Sequence, residues 1–129
     1  VIVDTSALVA VVREERGYER LLELLLTHGA PRIGAPTLFE AAMVLVGREG
    51  ETMRATLRRA VVECGLTVVP FDREHHAVAV EAFRRFGKGR HPARLNFGDC
   101  LTYAVARVAG APLLCIGEDF VRTDLDLMS

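Results

Sequence analysis

The chain has 129 residues, of which half are hydrophobic and 26% charged, and its net charge is −1. That length and apolar content fit one domain spanning residues 1–129 with a sizeable core, and they exclude a disordered or low-complexity chain. No apolar run reaches the ~20 residues of a membrane-crossing helix and nothing resembles a cleavable leader, so no membrane association and a cytoplasmic location are expected.

Val1-Ile2-Val3 is a β-branched run and reads as a buried first strand ending at Asp4. Thr5-Ser6 open a short helix to about Val12, and a second helix is expected from about Glu15 to His28, closed by Gly29 and Pro31. Arg32 to Ala35 is a weaker strand, stopped by Pro36. A third helix follows from Thr37 to about Val46, with Leu38, Ala41, Ala42 and Leu45 on one stripe. Glu40, Met43, Val44 and Gly47 form a second stripe, so this helix reads as apolar nearly all round and therefore buried. Next come a helix from about Glu51 to Cys64, a strand from Leu66 to Pro70, and a helix from Arg73 to Phe86. A basic Gly/Pro loop leads through Arg94 to a last helix from about Asn96 to Ala109. Pro112 to Ile116 is another buried strand, followed by Gly117-Glu118-Asp119-Phe120 and a polar tail. Strands alternating with helices imply an α/β fold: three α/β/α layers around a mainly parallel sheet.

Cys64, Cys100 and Cys115 lack metal-binding spacing and sit in apolar contexts, so they read as reduced core residues. His75-His76 opens a helix and carries no metal pattern. Arg84, Arg85, Lys88, Arg90, His91 and Arg94 crowd one stretch, which is either a solvated helix end or a patch for a phosphate backbone.

Four acids carry the chemistry. Asp4 and Asp119 follow strands, while Glu40 and Asp99 lie in what read as first helical turns. In β/α topology the strand C-termini and helix N-termini share one edge, where ligands bind. Each acid also has a purely structural reading. Asp4 suits an N-cap, Thr37-x-x-Glu40 a capping box, Asn96-x-x-Asp99 a looser cap, and Asp119 the cap of a final turn. Carboxylates heading buried stripes need neutralising, and Lys88 is the only lysine. An oxygen-only donor set points to a divalent cation, Mg2+ or Mn2+, and hence to phosphate chemistry.

Val3-Asp4-Thr5-Ser6-Ala7-Leu8, Glu40, Leu95-Asn96-Phe97-Gly98-Asp99 and Gly117-Glu118-Asp119-Phe120 together resemble the PIN-domain ribonucleases, in particular the VapC toxins of toxin–antitoxin pairs. The resemblance covers the whole chain. Glu118 departs from the Asn or Asp that the family often has there, and Asp124 adds a possible fifth acid. The resemblance implies a magnesium-dependent endoribonuclease acting on RNA, homodimeric, and held inactive by a VapB-type antitoxin. It makes Asp4 and Asp99 the main metal ligands, with Glu40 and Asp119 completing the catalytic centre. Thr5 and Ser6 would then bond a ligand carboxylate, a water or a phosphate oxygen. Hydrophobic helices around Leu21 to Leu26 and Leu38 to Val46 would supply the antitoxin groove, or simply fill the core. A phosphoacceptor domain is the signalling alternative, but Asp72 is a poor acceptor and no late lysine exists. A non-catalytic binding module with an acidic pocket is the other.

Overall fold

Five short strands run in parallel in the computed structural model, which describes residues 1–128; Ser129, the last residue of the expected domain, lies outside the described residues. Ile2–Val3 (β1), Arg32–Gly34 (β2), Thr67–Val69 (β3), Leu113–Leu114 (β4) and Leu127–Met128 (β5) form one sheet in the order β3-β2-β1-β4-β5. Ile2 pairs with Arg32 on one side and Leu113 on the other. Six helices connect them: Thr5–Val12 (α1), Tyr18–Thr27 (α2), Ala35–Glu49 (α3), Met53–Glu63 (α4), Arg73–Phe86 (α5) and Phe97–Ala109 (α6).

Strand alternation divides the apolar residues into two cores. Val3 and Leu114 face the core built with α1 to α4, where Leu8, Leu25 and Leu45 are fully buried. Ile2 and Leu113 face the other, with Phe86, Tyr103, Val105 and Phe120. The sheet is thus covered on both faces, as parallel sheets require. Each such leucine or isoleucine contributes roughly 1.5–3 kcal/mol by leaving water. The expected three-layer α/β/α architecture is what forms. Gly34 allows the layers to close tightly, because a Cβ there would lie 2.8 Å from Val105 Cγ2 of α6. A buried bond between the Thr37 and Thr102 hydroxyls, 3.0 Å long, then ties α3 to α6.

Four expectations need correction. α3 starts at Ala35, not Thr37, with Gly34 as N-cap. Proline is at home in a first turn, since its missing N–H has no helical partner there. The Thr37/Glu40 capping box consequently does not form, and Glu40 lies in the second turn. Nor is α3 buried all round: Phe39 and Met43 are 66% and 59% exposed. Finally, the tail holds a strand, β5, paired with β4. α2 is also shorter than the expected Glu15 to His28: Gly17, at φ 89°, is its N-cap and the helix spans Tyr18–Thr27.

The order of the sheet decides where a site can lie. β2 and β4 flank β1 on opposite sides, so the chain leaves the sheet's centre in opposite directions there. A crevice opens beyond the C-terminal ends of β1 and β4, the switch point where α/β proteins bind ligands.

Candidate active site

That crevice holds all four acids. A polar cleft of about 380 Å³ is lined by Asp4, Glu40, Asp99 and Asp119, together with Thr5, Ser6, Asn96 and Arg48. Each acid arrives there for a local reason. Asp4 follows β1 and is the N-cap of α1, accepting from Ser6 N at 3.1 Å. Asp99 occupies the third position of α6, where Asn96 and Asp99 form a reciprocal capping box at 2.9 and 3.0 Å. Asp119 sits in the exposed turn after β4, and Glu40 looks across from α3. The capping roles of Asp4 and Asp99 and their place in the cleft are therefore compatible.

Thr5 and Ser6 hold two of these carboxylates in place. The Ser6 hydroxyl donates to Asp4 Oδ2 at 2.7 Å and accepts from Ile116 N at 3.0 Å, linking the ends of β1 and β4. The Thr5 hydroxyl donates to Glu40 Oε1 in a short bond. The other Glu40 oxygen rests against Gly98, where a Cβ would overlap it. Gly98 thus lets the α3 carboxylate approach the first turn of α6.

Electrostatics register the gathering. Burial pushes the Asp99 carboxyl up to about 6, and the charges of Asp119, Asp4 and Glu40 add to it, against the pull of the Asn96 N–H. The buried Cys115 thiol behind the cleft is pushed up to about 11 by burial and by Asp4 and Asp119. The cleft is therefore a region of concentrated negative potential.

The four acids share a cleft, but they do not form a finished cage. Among the described residues, no three His, Cys, Asp or Glu side chains are grouped closely enough to hold a metal ion. Like charges facing one another repel unless a cation lies between them. The donor chemistry nonetheless fits one kind of ion. Four carboxylates and no sulfur or imidazole suit a hard divalent cation such as Mg2+ or Mn2+.

Other candidates are used elsewhere. Asp124 lies outside the cleft, accepting from the Tyr103 hydroxyl at 2.6 Å beside Arg85 and Arg107. Asp72 caps α5 through a reciprocal box with the buried His75, which leaves it unsuited to accept a phosphoryl group. Leu21, Leu24 and Leu25 fill the core, while Leu26 is exposed. All three cysteines are buried thiols. Sequence reasoning missed Arg48 and Glu15, which also line the cleft. The signal for Arg48 was present, since Glu40, Val44 and Arg48 recur at i, i+4, i+8 along one face of α3. Glu15 had none, lying in an irregular turn.

Comparison with known proteins agrees with this geometry. The sequence matches the PIN domain family over residues 1–125. It is 48% identical to ribonuclease VapC36 of Mycobacterium tuberculosis over 126 residues, covering 97% of this chain and 91% of the relative. It is 40% identical to ribonuclease VapC42 of the same species, over 96% of this chain and 95% of that one. The fold is shared with VapBC2 from Rickettsia felis, solved bound to a DNA fragment from their promoter: TM-score 0.80, 18% identity, covering 98% of this chain and 96% of that chain. It is shared as well with M. tuberculosis VapC20, a Sarcin-Ricin loop cleaving toxin: TM-score 0.74, 21% identity, covering 96% and 95%. A family match over residues 1–125, close VapC relatives and an acidic cleft at the switch point converge on one assignment: the chain belongs to the PIN-domain family, among the VapC ribonuclease toxins.

Proposed function

We propose that this chain, as one nuclease domain, hydrolyses RNA phosphodiester bonds at the Asp4–Glu40–Asp99–Asp119 cleft with the help of Mg2+, for which Mn2+ substitutes. The observation that carries this reading is the delivery of four acids from four separate segments to one cleft of a PIN-family fold. Asp4 and Asp99 would be the principal ligands, with Glu40 and Asp119 completing the set. A divalent cation held there supplies a Lewis acid for a phosphoryl oxygen and offsets charge that grows in the transition state. The protein's part is placement. Ser6 fixes Asp4, Thr5 fixes Glu40, and the α6 cap fixes Asp99, so little reorganisation is needed when substrate arrives. One of Glu40, Asp99 or Asp119 orients the attacking water and takes its proton; as the water oxygen bonds to phosphorus, the bond to the in-line leaving oxygen breaks and that oxygen takes up a proton from solvent.

The test is cleavage of purified cellular RNA by the parent and by Asp99→Asn, with Mg2+ and with chelator. The reading expects cutting by the parent in Mg2+ alone. A folded Asp99→Asn protein that cuts at the parental rate would disprove it.

Its partners follow from the same reading. We place a VapB-type antitoxin as its inhibitor in the cytoplasm, on the strength of the VapC relatives and the Rickettsia VapBC2 structure. We also propose a homodimer. Phe39, Met43, Phe97 and Leu101 line an exposed apolar hollow between α3 and α6, a kind of surface that marks protein contacts. Met43→Asp is expected to sediment as a monomer; an unchanged dimer would remove this hollow from the interface.

A further inference from the structure

Beside the acidic cleft runs a second polar groove of about 710 Å³, where three cations outnumber two acids, Glu118 and Asp119. Lys88, Arg94 and Arg122 line it. Asn96 and Asp119 belong to both cavities, so the groove opens directly off the cleft. Among the described residues, none of these three cations lies within ion-pair distance of a carboxylate. Most other arginines on this half of the molecule are engaged: Arg84 with Glu81, Arg85 and Arg107 with Asp124, and Arg90 over the Phe83 ring at 4.9 Å. Three cations without an ion-pair partner, lining a groove that leads to an anionic cleft, are set for a polyanion that must span both.

Their backbone is fixed in advance. Lys88 N donates to Leu95 O and Leu95 N to Phe86 O, both at 2.9 Å, so the loop between them is pinned at its neck. Arg94 holds φ 56°, left-handed for a side-chain-bearing residue, and its N–H is bonded to His91 O at 3.0 Å. Such a conformation costs about 1–3 kcal/mol and persists where the surroundings enforce it. Arg122 comes from the turn after Asp119, so the segment that brings an acid to the cleft also brings a cation to the groove.

We infer that Lys88, Arg94 and Arg122 form a phosphate-binding subsite that grips the RNA backbone next to the scissile bond, on one side of the acidic cleft. This rests on the nuclease reading above. The subsite draws the strand across Asn96 and positions the scissile phosphate against acids that would otherwise repel it. Arg90, prominent in the basic stretch of the sequence, does not line the groove; its guanidinium lies over the Phe83 ring. Glu118, also in the groove, opposes the three cations and moderates the grip.

The experiment measures binding of a fluorescein-labelled 20-nucleotide single-stranded RNA to Asp99→Asn protein in Mg2+, as a function of KCl. Adding Lys88→Ala, Arg94→Ala and Arg122→Ala together is expected to weaken binding at least ten-fold at about 0.1 M salt. The slope of log Kd against log[KCl] should become shallower by about 1.5–2, given roughly 0.7 per phosphate contact on a single strand. In the otherwise unaltered protein the same triple change should raise KM and leave kcat nearly untouched. Arg20→Ala with Arg54→Ala, cations on other helices, should change neither quantity. Triple-variant affinity and slope equal to the control would overturn the subsite, even with Asp99→Asn inactive. Continued cleavage by Asp99→Asn would instead sink the nuclease reading, whatever the triple variant does.

Discussion

Asp99 is half-buried in the first turn of α6 and Asp124 is a more exposed carboxylate against Tyr103 of the same helix, yet their surroundings drive them in opposite directions. Burial raises Asp99 and three neighbouring acids raise it further. Burial works against Asp124 too, but the Tyr103 hydrogen bond and the charges of Arg107 and Arg85 outweigh it and hold that carboxyl below its usual range. One cluster is balanced within the protein; the other is left with an excess of negative charge. An acid satisfied by its own chain stabilises the fold. Acids set against one another store a demand for a cation, and that demand is what a metal-dependent site uses.

The sharpest way to break this comparison is to neutralise one acid from each cluster. Asp99→Asn should lower Mg2+-dependent RNA cleavage by a factor of roughly a thousand, the scale of losing electrostatic stabilisation at a reacting centre. It should also raise the melting temperature of the metal-free protein. Asp124→Ala should do the reverse, leaving cleavage within about two-fold while destabilising the fold by roughly 1–2 kcal/mol, because the Tyr103 hydroxyl loses its partner. Kinetics and thermal melts on both variants check this; equal behaviour of the two would erase the distinction.

Gly98→Ala probes the cleft more gently. The added methyl displaces the Glu40 carboxylate from its place against α6, and cleavage should fall about ten-fold, as misplaced catalytic groups do. Alanine is the better helix former by roughly 1 kcal/mol, so the melting temperature should hold or rise. Lost activity accompanied by lost stability would mean the close approach is structural only.

A smaller effect lies in pH. Burial and the neighbouring acids raise the folded-state pKa of Asp99 from the ordinary carboxylate range to about 6. Its contribution favours folding below pH 4 and is lost as pH rises through about 6. Without metal, the stability gained by Asp99→Asn should therefore be present at pH 7 and shrink as pH falls below about 6. Saturating Mg2+ should abolish the gain by stabilising the parent. A gain independent of pH would contradict the electrostatic cause. Smallest of all, Glu118→Gln should tighten RNA binding about two-fold by relieving repulsion in the basic groove, and should leave melting unchanged.

Much of this was legible in the residues, for identifiable reasons. Val1-Ile2-Val3 and Pro112 to Ile116 announce central strands because buried parallel strands need continuous apolar runs. The caps at Asp4 and Asn96 mark helix starts in a local code that survives folding. Topology then brings the acids to one edge without any long-range information. What stayed hidden depends on tertiary context. β5 is only Leu127–Met128 in an acidic tail, too short to show a period, and exists because β4 offers it an edge. Pro36 read as a stop although it sits inside the first turn of α3. Arg122 carries no motif, and the i, i+4, i+8 spacing of Glu40, Val44 and Arg48 does not by itself say what that face meets; only the folded chain puts Arg122 in the basic groove and Arg48 in the acidic cleft.

The central claim is that repelling carboxylates from distant segments are completed by one divalent cation. Calorimetric titration of Mn2+ into the purified protein and into Asp99→Asn at pH 7 tests it most directly. A saturable site in the parent, weakened at least ten-fold in the variant, is the predicted result; no binding to the parent, or equal binding to both, would contradict it.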